Sequence, residues 1–146
     1  MEKYKKRFSL ILADDHPLYL EGLVSVLHGE FMITGIAADD KELFTLLKSS
    51  QPDVTLIGLK TPGSNGINAV REISLLYPEI KIILFSLAYD KALEEELKLA
   101  GIKGYLLRDV NVNTLADKIN RVAAGEMVFD YDACQDQEMP RYRTSA

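Results

Sequence analysis

Asp14 and Asp15 stand side by side directly after an apolar run. Adjacent carboxylates repel one another, and a cation makes them stable together. A hard cation such as Mg²⁺ takes oxygen ligands, often one or two carboxylates completed by phosphate and water. Three further residues end apolar runs in the same way: Gly58, Ser86 and Arg108. A hydroxyl and a cationic side chain opposite an acidic pair would suit a phosphoryl group. A plainer reading stays open, in which the pair is simply solvated at a helix start, where the macrodipole favours negative charge.

The runs that carry these residues are short and rich in Ile, Leu and Val. Each precedes a segment with helical periodicity. Residues 8–13 show no polar alternation, as suits a strand buried on both faces of a parallel sheet. Pro17 then fits a first helical turn, Leu20, Leu23, Val24 and Leu27 form one stripe, and Gly29 is placed to end the helix. Further strands are predicted at 32–37, 54–57, 80–85 and 104–107. The second helix is capped by Asp39 or Asp40 and buries Leu43, Leu46 and Leu47. The third carries Ile67, Val70, Ile73 and Leu76 and stops before Pro78. The fourth starts near Asp90, aligns Leu93, Leu97 and Ala100, and ends before Gly101. The fifth starts at Asn113 or Thr114, aligns Leu115, Ile119 and Val122, and ends at Gly125.

Five strand–helix units with short connections predict an α/β fold, a (βα)5 flavodoxin-like doubly wound parallel sheet of strand order 2-1-3-4-5. Ligands of such sheets bind outside the carboxyl ends of the strands, which is where Asp14, Asp15, Gly58, Ser86 and Arg108 fall. Residues 1–125 form the domain. Residues 126–146 lose periodicity and read as a solvated tail or the start of a linker, in a chain cut from something longer.

Composition narrows the function. The 146 residues are 47% hydrophobic and 27% charged, as in an ordinary globular domain. A net charge of -5 disfavours DNA binding by these residues, because that affinity rests on neutralising phosphates. The lone Cys134 offers no internal disulfide, no apolar run approaches the roughly 20 residues of a membrane span, and no secretory signal is visible. A soluble, cytoplasmic domain is the expectation. His16 reads as a helix-start residue. No Walker or dinucleotide loop, zinc spacing or nucleophile elbow is present, and Asp14-Asp15-His16-Pro17 stands where a flavin-binding loop would be.

Several segments carry a resemblance in order and with family spacing. They are Ile11-Leu12-Ala13-Asp14-Asp15-His16-Pro17-Leu18, Pro52-Asp53-Val54 through Thr61-Pro62-Gly63, and Gly66-Ile67-Asn68-Ala69-Val70. They continue with Ile83-Leu84-Phe85-Ser86 and Gly101-Ile102-Lys103-Gly104-Tyr105-Leu106-Leu107-Arg108-Asp109. Over about residues 8–130 the chain resembles a receiver domain of a two-component response regulator of the NarL/FixJ (LuxR-type) family. The resemblance implies that Asp14 and Asp15 match an acidic pair that holds Mg²⁺, with the Lys60 backbone carbonyl as a further ligand. Ser86 matches the hydroxyl that bonds the phosphoryl group, and Tyr105 the aromatic whose rotamer follows it.

The departures matter most. The position of the phospho-accepting aspartate is Gly58, the usual lysine is Arg108, and the usual methionine is Thr61. Glycine can form no acyl phosphate and removes a metal ligand, so no cofactor is expected and any Mg²⁺ binding is weakened. Arg108 either reaches Asp14 or Asp15 and offsets their repulsion without Mg²⁺, or points into solvent. Asp53 lies at the wrong end of its strand to accept phosphate instead, and the Thr61 and Ser64 hydroxyls lack the carboxylate chemistry.

The expectation is therefore a degenerate receiver, not an enzyme, that signals without phosphorylation through protein–protein interaction or dimerisation. The surface expected to serve is that of the fourth helix, fifth strand and fifth helix, with Glu94, Glu95, Glu96 and Lys98 on its solvated side and Tyr89 nearby. Transcriptional control would run through a C-terminal helix-turn-helix domain outside these residues, the sole route to DNA, and no membrane partner is expected. Two alternatives remain: a displaced acceptor working with Mg²⁺, and a small-ligand sensor using an emptied pocket at Gly58.

Overall fold

The computed structural model describes residues 7–59, 66–86, 90–108 and 111–130. Lys60, Thr61, Ser64, Tyr89, Asp109 and Cys134 lie outside the described residues. The elements run β1 (Ser9–Ala13), α1 (Pro17–Leu27), β2 (Met32–Ala37), α2 (Asp40–Ser49), β3 (Val54–Leu59) and α3 (Gly66–Leu76). They continue with β4 (Lys81–Ser86), α4 (Lys91–Ala100), β5 (Gly104–Leu107), α5 (Val112–Ala123) and β6 (Val128–Phe129). Every strand pairing is parallel, and the order is β2-β1-β3-β4-β5-β6. The flavodoxin-like order predicted for the first five strands is present.

Alternate residues of the strands feed two cores. Leu10, Leu12, Val54, Leu56, Ile83, Phe85 and Leu106 meet Leu20, Leu23 and Leu27 of α1 and Leu115, Ile119 and Val122 of α5. Ile11, Ala13, Ile57, Ile82, Leu84 and Tyr105 meet the apolar stripes of α2, α3 and α4. Period-2 strands between period-3.6 helices leave both sheet faces covered, which fits the unbroken apolar runs Leu10–Ala13 and Ile82–Phe85 within β1 and β4.

Local chemistry sets the helix starts. Asp39 accepts from the Glu42 N–H, and Glu42 Oε1 accepts from the Ala38 N–H. Asp90 accepts from the Ala92 and Leu93 amides, and Asn111 from those of Asn113 and Thr114. The last cap starts α5 at Val112, earlier than periodicity alone suggests, because an Asn side chain here satisfies free amides.

Two sequence expectations are corrected. The ordered fold does not end at residue 125, since β6 extends the sheet and Asp130 is buried. Two strand residues are too few to show periodicity, so this segment reads as tail in the sequence. Glu94 is not solvated with its neighbours but is 2% exposed. Lys91 and Lys98 lie 3.1 and 2.9 Å from its carboxylate, so its charge is compensated from both sides along the helix.

Candidate functional site at the carboxyl edge of the sheet

The strand ends converge as the topology requires. Gly58 pairs with Phe85, Leu59 with Ser86, and Ser86 with Leu107, so β3, β4 and β5 finish level. Asp14 follows β1 directly, and its amide donates to Ala37 O at 3.0 Å.

The two acidic residues are separated. Asp15 is exposed, whereas Asp14 is buried. Asp14 Oδ1 accepts from the His16 N–H at 2.9 Å, which gives His16 the helix-start role expected of it. Asp14 Oδ2 lies 2.6 Å from Arg108 Nη2, with the two side chains only 3% and 9% exposed. Of the two readings open for Arg108, this is the paired one, directed at Asp14. The pair is ionic but incompletely hydrogen-bonded: Asp14 Oδ2 and Arg108 Nε are both buried without an aligned partner.

Gly58 lies beneath this pair. A Cβ placed on it would overlap the Asp14 carboxylate, 2.7 Å from Cγ, and would sit 2.5 Å from Arg108 Nη2. The pocket expected to be emptied by the missing side chain is therefore filled by the ion pair. Arg108 leaves β5 and reaches Asp14 beyond β1, passing the ends of β4 and β3. The Arg108 arm spans that path over the bare Gly58 backbone, which any Cβ at 58 would obstruct.

Tyr19 of α1 completes the arrangement, and sequence reasoning missed it. Its ring stacks under Arg108, with Cζ 4.4 Å from the ring centre, and meets Phe85 edge-on at 6.4 Å. The ring face attracts the cation. The Tyr19 hydroxyl is held above its ordinary pKa of 10.0, chiefly by burial; Asp14 adds to the shift and Arg108 opposes it. The available signal was an aromatic one helical turn from an acidic pair, but it lies beside the Leu stripe rather than in it.

Ser86 and Tyr105 form a second cluster. Tyr105 is fully buried, and its hydroxyl accepts from the Asp90 N–H at 3.2 Å and hydrogen-bonds with the Ser86 side chain. Burial pushes the Tyr105 pKa up, against those two hydrogen bonds. Asp53 sits at the opposite sheet edge, accepting from the Ser9 amide at 2.9 Å, as its strand position implied.

The donor set does not suit Mg²⁺. Position 58 offers no carboxylate, one Asp14 oxygen is committed to a backbone amide, and the other faces a guanidinium. Among the described residues, no three His, Cys, Asp or Glu are grouped to hold a metal ion. Nor is any helix among them long and apolar enough to cross a membrane.

Residues 10–120 match the response regulator receiver domain family, and the chain belongs to that family. An uncharacterized transcriptional regulatory protein of Bacillus subtilis, YxjL, is 33% identical over 127 residues, covering 86% of this chain and 58% of its own length. The nitrate/nitrite response regulator NarL of Escherichia coli is 29% identical over 126 residues, covering 83% and 57%. The chain thus spans little more than half the length of these relatives. Among solved structures, a LuxR-family two-component response regulator from Aurantimonas superposes with a TM-score of 0.81 at 26% identity, covering 94% of this chain and 99% of that one. The chain is a response regulator receiver domain, and the relatives it matches include regulators named NarL and DegU.

Proposed function

We propose that this receiver signals without phosphorylation, with the Asp14–Arg108 pair standing where acceptor and metal would work. The observation that carries the reading is the overlap of any Cβ at Gly58 with that pair. Position 58 offers no carboxylate to attack a phosphoryl group, and the charge a divalent cation would supply there comes from Arg108. The domain performs no catalysis of its own on this reading. Tyr105 is buried, with its hydroxyl bonded to the Asp90 N–H and the Ser86 side chain.

The output is protein–protein interaction in the cytoplasm, through the face of α4, β5 and α5. Its larger relatives are named as transcriptional regulators, so control of transcription through a further DNA-binding domain is the role proposed for the whole protein. The test is incubation with acetyl phosphate and Mg²⁺ followed by intact mass. No adduct is expected beside a control receiver that gains one. A phosphoryl adduct would overturn the reading and revive a displaced acceptor.

A further inference from the structure

The face of α4, β5 and α5 already carries an occupant, the chain's own segment 128–130. The Val128 N–H donates to Lys103 O at 3.0 Å, and Val128 and Phe129 pair with Gly104 and Tyr105. The Leu107 N–H donates to Asp130 Oδ2 at 2.9 Å. Asp130 also pairs with Lys118 of α5, and Lys98 of α4 lies 4.7 Å above the Phe129 ring. The strap is thus apolar, aromatic and acidic in order, and it seats on an edge flanked by two lysines.

Without the strap, β5 would present unpaired backbone groups, a ready template for another strand. The segment that fits this edge by register and by charge is the strap, and every copy of the chain carries one. The hinge before it, residues 124–127, is exposed and lies in a tight turn. Gly125 there has φ +114°, with its amide bonded to Val122 O at 3.0 Å and the next amide to Arg121 O at 2.9 Å. A turn that depends on a left-handed glycine opens when that residue is made unfavourable there.

We propose that the α4–β5–α5 face is a strand-exchange interface, in which the strap of one copy seats on the β5 edge of a second. Each contact made within one chain is remade between two, so exchange costs little beyond association and hinge opening. The inference rests on the reading of this face as the interaction surface. It leaves Asp14, Gly58 and Arg108 untouched, so its failure would not touch the phosphorylation-independent reading.

The test exchanges charges in the full chain. Lys118→Glu alone faces Asp130 with a like charge, and Asp130→Lys alone faces Lys118 with one. Mixed together, opposite charges meet only between chains. Native mass spectrometry and size-exclusion light scattering of the mixture should show heterodimer, on the order of tenfold more than the homodimer of either variant alone at matched concentration. A mixture that stays monomeric, or dimerises no more than its parts, would overturn the proposal. Gly125→Val covers the case in which a charge variant fails to fold. It strains the tight turn, favours the opened hinge, and should raise the dimer fraction over the wild type. A Gly125→Val chain that stays folded and no more dimeric than wild type would also overturn exchange.

Discussion

Two buried carboxylates border the end of β5, and each faces a cation, yet they are built differently. Asp130 is complete: one oxygen takes the Leu107 amide and the other takes Lys118. Asp14 is not, since Oδ2 and the facing Arg108 Nε have no aligned hydrogen bond. A buried ion pair offsets its desolvation only when further hydrogen bonds complete it. By that measure Lys118–Asp130 is a structural joint. Asp14–Arg108 keeps charges together without fully satisfying them.

Asp130→Ala gives the largest effect that would break this contrast. It leaves the partly buried Lys118 without its counter-charge and the partly buried Leu107 amide without an acceptor, and should cost about 3–5 kcal/mol in urea unfolding. A loss under about 1 kcal/mol would show the joint to be incidental. Arg108→Ala should cost somewhat less, about 2–3 kcal/mol, because Asp14 sits at the sheet edge, where water can enter once the arm is gone. Calorimetry with Mn²⁺ should then detect binding that the wild type lacks. If this variant is neither destabilised nor more receptive to metal, the pair does not do the work assigned to it.

The incomplete bonding of the Asp14 pair sharpens the comparison in the opposite direction. Asp14→Asn with Arg108→Met removes both charges and should leave stability within about 1 kcal/mol of wild type. The matching double change, Asp130→Asn with Lys118→Met, should do the same only if the amide oxygen introduced at position 130 still accepts from the Leu107 N–H. Thermal denaturation of both double variants beside the wild type would rank the pairs.

The smallest effect concerns alkali. Tyr19 and Tyr105 both titrate above 10.0 in the folded state. As pH rises past 10, tyrosines of the unfolded chain lose protons that the folded chain keeps, so the unfolded state is favoured. Stability is intact below pH 10 and declines above it. Tyr19→Phe should flatten part of that decline, while a slope identical to wild type would contradict the burial of its hydroxyl beside Asp14.

Much of this was legible in the chain. Unbroken apolar runs marked the buried strands, and their carboxyl ends could be assigned to one edge because a parallel sheet delivers them there. Asp39 and Asp90 announced their helices as local caps. Tyr19, Glu94 and Asp130 were not legible, since each acquires its role from a partner on another turn or another element: Arg108, the two lysines of α4, and the Leu107 amide.

The amino-acid sequence by itself determined the order of elements, the receiver family and the absence of a carboxylate at Gly58, because these depend on residue type and on spacing along the chain. Only the tertiary structure decided that Asp14 is buried while Asp15 is exposed, that Arg108 crosses to Asp14 over the bare Gly58 backbone, and that residues 128–130 close the β5 edge. Those outcomes depend on distances between strands far apart in the chain, and on which charge finds its partner once water is excluded.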